Sequence, residues 1–198
     1  MQRRDFMLTT AASLAVAGVS LGACSSTASL TTTPGTHESK AGRRAQIDAG
    51  VNATLTRLEN TVGGARELVS KASGILIFPS VIAAGLAVGG EYGEGVLRVK
   101  NATTGYYSLA SLSFGLQIGA QSKAIVILLM TQDALTKFRN SQGWAVGADA
   151  SVAVLKVGAN GMLEVTPEMG PIVAFVMTNA GLMANLTLEG TKITQLKD

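Results

Sequence analysis

The chain has 198 residues, with 16 Lys and Arg, 13 Asp and Glu, one His and one Cys; 15% of it is charged, against about 25% in an average soluble domain. A single cysteine excludes an intrachain disulfide framework, and a single histidine, His37, in a Ser/Thr/Gly-rich stretch excludes a His-based triad and most metal centres. The pI is about 9.2, but the net charge is only +3 and aromatics are 5%, so the basic clusters interleaved with aromatics that mark a nucleic-acid binder are missing.

In chain order, residues 1–23 read as a signal peptide. Arg3 and Arg4 precede an apolar run from Leu8 to Leu21, which is too short and wrongly flanked for a stable membrane span. Arg3-Arg4-Asp5-Phe6 resembles a twin-arginine export motif, and Leu21-Gly22-Ala23-Cys24 resembles a bacterial lipobox whose cysteine is acylated after cleavage. Cys24 is therefore the expected lipidation site. Ser25 after it, rather than Asp, resembles lipoproteins sorted to an outer membrane. Removing residues 1–23, which hold two arginines and one aspartate, leaves 175 residues with a net charge of +2. That is enough for one domain with a real core. Residues 24–37 follow as lipidated cysteine and flexible tether, rich in Ser and Thr and carrying Pro34 and Gly35. Residues 38–198 are expected to form a single domain.

Ile47, Val51, Leu55, Leu58 and Val62 recur at steps of four, four, three and four, one face of an α-helix. Gly63-Gly64 interrupts the helix, and residues 65–72 supply a second short piece. Arg44, Arg57 and Arg66 border the stripe, which either packs on a sheet or seeks a membrane surface. Gly74 to Phe78 is a short apolar strand that Pro79 is expected to stop. Alternation over 84–92 and 94–100 predicts further strands, with a turn over 101–105 and a strand over 107–121. Residues 125–130 form an unbroken apolar strand, and Thr131 is the expected N-cap of a helix running to about Asn140. Strands are expected at 146–157, 172–177 and 182–188. Glycine numbers 23, above the usual ~7%, with many on one face of a strand. That placement implies tight bending or close approach of another layer. The fold class is α+β: an N-terminal helical segment packed on a Gly-rich, strongly coiled antiparallel sheet or small barrel, with one further helix after Met130.

The stretch from Gly89 to Gly95 contains no Lys-Ser/Thr and no phosphate-loop spacing. Glu91 and Glu94, three apart on a strand, point to opposite faces and do not make a glycosidase pair. Asp149 interrupts an apolar strand, so a buried polar site is expected there, its carboxylate bonded to a turn or to Gln117, or free to bind a ligand. Lys71, Arg98, Lys100, Lys123 and Lys156 join Arg44, Arg57 and Arg66 as candidate contacts for acidic lipid. The strand-end cations among them serve equally well as solvated edge charges.

The order of motifs resembles a known family. Lys71-Ala72-Ser73-Gly74-Ile75-Leu76-Ile77-Phe78-Pro79 is followed by Gly89-Gly90-Glu91-Tyr92-Gly93-Glu94-Gly95. Then come Ser113-Phe114-Gly115-Leu116-Gln117-Ile118-Gly119, Gly147-Ala148-Asp149-Ala150 and Leu188-Glu189-Gly190. Together they resemble the SYLF domain, the yeast actin-patch "Ysc" type, over roughly residues 47–193. The resemblance implies lipid binding, with phosphoinositide-like or other anionic head groups as partners. The chain departs from the pattern at Tyr106-Tyr107, Val154-Leu155 and Asn185. The resulting expectation is an exported lipoprotein on the periplasmic face of a bacterial outer membrane, binding acidic lipid or another amphiphile. No catalysis, cofactor, metal or nucleic acid is expected. The alternative is a cell-envelope module that binds a protein.

Overall fold

The computed structural model describes residues 39–115, 121–156, 163, 169–178, 181–182 and 188–197; within the strands, only the backbone of 84–88, 113–115 and 121 is described. The chain divides into two units at His37, and the described residues all belong to the second, Glu38–Asp198. The expected signal peptide, the expected lipidation site Cys24, and Gln117 lie outside the described residues.

Helix α1 spans Lys40–Thr61 and α2 spans Ala65–Lys71; the strands are β1 Gly74–Val99, β2 Ala102–Gly115 and β3 Gln121–Leu129. Helix α3 covers Gln132–Asn140, and β4 Trp144–Ala145, β5 Ala153–Val154, β6 Ile172–Thr178, β7 Gly181–Leu182 and β8 Lys192–Gln195 complete the order. Ser39 caps α1, its Oγ accepting from the Gly42 amide at 3.1 Å. The apolar stripe packs inward: Val51, Leu58 and Val62 are buried, and Ile47 and Leu55 pack against the same cluster. It faces the sheet, not solvent. Gly64, at φ 87°, provides the left-handed residue that separates α1 from α2. Thr131 caps α3 as expected, accepting from the Ala134 amide at 3.1 Å.

The sheet runs β4-β8-β2-β1-β3-β6-β5, with β7 beside β6. It is antiparallel except for β5 with β6, which makes it mixed. Strand β1, 26 residues long, pairs with β3 over Gly74–Ala83 and with β2 over Ala87–Val99. Pro79 does not stop it. The register shifts between Phe78 and Val81, and proline is tolerated at such a bulge because no ladder N–H is required of it. The two halves of β1 then come back against each other. A Cβ on Gly95 would land on the Ile77 carbonyl oxygen, and one on Gly93 would lie 2.8 Å from the Ser80 carbonyl oxygen. These glycines permit the backbone contact that curls the sheet into a half-barrel. The β1–β2 turn is Lys100-Asn101, with φ 50° and 65°, the two left-handed residues of a tight hairpin. Gly105, expected in that turn, lies within β2.

Helices α1 and α2 cover one face of the sheet, through Ile77, Val96, Val126 and Phe175. Helix α3 and Trp144 cover the other, over Leu76, Phe78, Leu109, Ile127 and Leu129. Burial on both faces explains the unbroken apolar runs of β3 and β6. On the α3 side, Phe138 bridges Tyr107 and Trp144, with ring centroids 5.2 and 5.6 Å apart.

One expected strand dissolves. Of 146–157 the described residues are 146–156, and most of these are turn and irregular chain, with Gly147 at φ 91° and, among them, only Ala153–Val154 forming a strand. Asp149 is accordingly exposed. Its Oδ2 accepts from the Ala145 amide at 2.6 Å and its own amide donates to the Ala145 carbonyl, so it closes a turn and is not a buried site.

Candidate functional site

Because β1 doubles back, its start and its end reach the same edge of the domain. The α2–β1 junction and the β1–β2 turn lie side by side there, around a cavity of 570 Å³. Four cations line it: Arg66 and Lys71 from α2, Arg98 from β1 and Lys100 from the turn. Glu59 is the one carboxylate among the described lining residues. Arg66 Nε meets Glu59 Oε2 at 3.0 Å, with the arginine 75% exposed. Lys71 Nζ bonds Glu67 Oε1 at 2.6 Å, and this hydrogen bond, helped by the lysine charge, holds the Glu67 carboxyl below its usual range. Both pairs reach solvent, where such ion pairs contribute at most about 1 kcal/mol.

Arg98 differs. Its Nη2 donates to Asn52 Oδ1 at 2.8 Å, which ties β1 to α1, while its buried Nε has no hydrogen-bond partner among the described residues. A buried N–H of a charged group left unpaired costs roughly 1–3 kcal/mol or more. An anion oxygen reaching it would recover that cost.

The other expected lipid contacts are dispersed. Arg44 lies over the Tyr106 ring, 4.7 Å from its centroid. Arg57 is exposed on α1 in a different groove, and Lys156 is exposed just beyond β5. Lys123, expected at a strand end, is buried and bonded to Glu91, so it offers nothing to a lipid. Sequence reasoning missed this pair because Glu91 and Lys123 are 32 residues apart. Asp48 was missed as well; it accepts from the Tyr106 hydroxyl at 2.9 Å. Burial first, and then this bond, raise the Tyr106 pKa, as burial and the bond to Glu94 raise that of Tyr92. Among the described residues no three His, Cys, Asp or Glu side chains gather to hold a metal ion, and no helix is long and apolar enough to cross a membrane.

From Ala110 in β2 to the C-terminus, the chain matches the family model "Ysc84: Las17-binding protein actin regulator", residues 110–198. The human SH3 domain-containing YSC84-like protein 1 is 29% identical over 137 residues, 66% of this chain and 40% of its own length. Its namesakes from Xenopus laevis and Mus musculus are 26% and 27% identical over 136 residues, with the same coverage. The chain thus spans 40% of the length of these relatives. The matched segment includes β3, α3 and β6, and contributes Gln132 to the lining of the basic cavity. The four cations all precede it in sequence.

Proposed function

We propose that this Ysc84-type domain binds anionic lipid without catalysis, on a chain exported and anchored through an acylated Cys24 to the periplasmic face of an outer membrane. The observation that carries the reading is the cavity where, among the described residues, Arg66, Lys71, Arg98 and Lys100 converge around one carboxylate and Arg98 Nε has no partner. A phosphate head group brings several acceptor oxygens to such a cluster, and guanidinium groups bind them in a bidentate fashion. The lipobox and export motif supply the membrane context.

The test is flotation of the unacylated chain from Ser25 onward with phosphatidylcholine vesicles, with and without phosphatidylglycerol, over a salt series. Each cation near an anionic surface contributes about 1 kcal/mol. The triple variant Arg66→Gln, Lys71→Gln, Lys100→Asn should therefore weaken binding by about a hundredfold at low salt, where each 1.4 kcal/mol is tenfold. Asparagine at 100 keeps the left-handed turn. Arg44→Gln, remote from the cavity, should change little. Binding that ignores both salt and the triple variant overturns the reading.

A second reading, a protein-interaction module of the envelope, is favoured by Leu112, 73% exposed on β2, and by the Las17-binding description of the family. Leu112→Ser should then abolish capture of an envelope partner and leave vesicle binding intact.

A further inference from the structure

A second concavity, with a volume of 630 Å³, runs between α1 and the bend of β1 and shares no lining residue with the basic cavity. Its helical wall extends from Gln46 to Arg57, twelve residues and eleven rises, or about 16 Å at 1.5 Å per residue. The opposite wall is Pro79, Ile82 and Tyr92. Gly50 lets the helix sit directly on Pro79, where an added Cβ would lie 3.0 Å from Pro79 Cβ, so this contact forms the floor of the groove. Ile82 and Tyr92, each 52% exposed, leave apolar surface in water along this channel.

The charges are distributed unevenly. Glu94, the one acid among the described lining residues, is already engaged by the Tyr92 hydroxyl at 2.8 Å and by Arg43 at 3.4 Å. Arg57, exposed at one end of the helical wall, makes no ion pair among the described residues. An open groove with apolar surface from Ile47, Pro79 and Ile82 and one guanidinium without an ion pair at its end matches an acyl chain that ends in one carboxylate. A two-chain phospholipid would need a second apolar channel beside it.

We propose that the groove between α1 and β1 binds one long-chain fatty acid, its chain lying along Ile47, Pro79 and Ile82 and its carboxylate on Arg57. The inference rests on the same lipid-binding reading of the domain but on different residues, so the two can fail separately.

The test titrates the delipidated full-length chain with cis-parinaric acid, an intrinsically fluorescent long-chain fatty acid, with palmitate as competitor and hexadecanol as its uncharged counterpart. Saturable one-site binding that palmitate displaces is expected. Ala53→Trp, a substitution at an exposed position that fills the channel, should weaken binding at least tenfold. Arg57→Gln should weaken the acid about tenfold and leave displacement by the alcohol unchanged. The triple variant of the basic cavity should leave fatty-acid affinity unchanged, whereas Ala53→Trp should leave vesicle flotation unchanged. If circular dichroism shows Ala53→Trp unfolded, Arg57→Gln alone decides between the outcomes. Absence of saturable binding, or affinity indifferent to both substitutions in folded protein, overturns the proposal. Loss of fatty-acid binding in the triple variant would also overturn it and would move the acid to the basic cavity.

Discussion

Lys123 Nζ donates to Glu91 Oε1 at 2.8 Å, with both side chains more than nine-tenths buried, and Ser111 Oγ donates to the other carboxylate oxygen at 3.1 Å. Glu91 and Ser111 face each other across the β1–β2 ladder, while Lys123 lies opposite Val81 in the β1–β3 ladder. The pair therefore joins the two halves of the doubled-back ribbon on its α3-facing side. Removing one partner strands a charge away from water, at a cost of about 3–5 kcal/mol. Lys123→Ala should show that loss in urea unfolding followed by Trp144 fluorescence. The double variant Glu91→Leu, Lys123→Met should recover most of it, and a double variant as unstable as the single one would contradict this account.

Gly95 should be irreplaceable, and Gly90, five residues earlier in the same strand, should not be. A Cβ at 95 meets the Ile77 carbonyl, whereas at 90 the nearest atom is Ser111 O at 3.9 Å, an ordinary contact. Overpacking against backbone costs about 3 kcal/mol or more, since no side chain can swing away. Gly95→Ala should lower the urea midpoint sharply and Gly90→Ala should leave it nearly unchanged; equal effects would disprove the close approach of the two halves.

The raised Tyr106 pKa carries a definite sign. The folded state holds the phenolic proton more tightly than the unfolded chain, so this contribution to stability is complete below the unfolded value of 10.0 and is lost as pH rises through the folded value. Thermal midpoints should therefore fall above about pH 10. Tyr106→Phe should remove part of that fall, while losing about 0.5–1.5 kcal/mol at neutral pH with the bond to Asp48. A Phe variant with an unaltered alkaline limb would count against it.

Cys24→Ala should move the protein out of the membrane fraction and abolish the mass increase of acylation. Each buried methylene contributes about 0.8 kcal/mol, so multiple acyl chains anchor durably and their loss should be complete. Identical partitioning of wild type and variant would remove the lipoprotein assignment and leave the domain's own lipid binding to be judged by vesicle flotation.

The local signals were legible in the sequence. The stripe from Ile47 to Val62 placed α1, Gly63-Gly64 its end, Thr131 the start of α3, and the runs at 125–130 and 172–177 the central strands. Each depends on periodicity or capping within a few residues, where backbone preference alone decides. The glycines of β1 also announced a tight approach, without naming what approached. Only the tertiary structure decided the partners. Pro79 reads as a stop until a bulge excuses its missing N–H, and Asp149 reads as buried until residues 147–149 turn outward. Eight candidate cations look equivalent along the chain. The doubling of β1 gathers Arg66, Lys71, Arg98 and Lys100 around one cavity and buries Lys123 against Glu91. Whether a charge meets water, a ligand or an opposite charge depends on contacts between residues tens of positions apart, which no local pattern encodes.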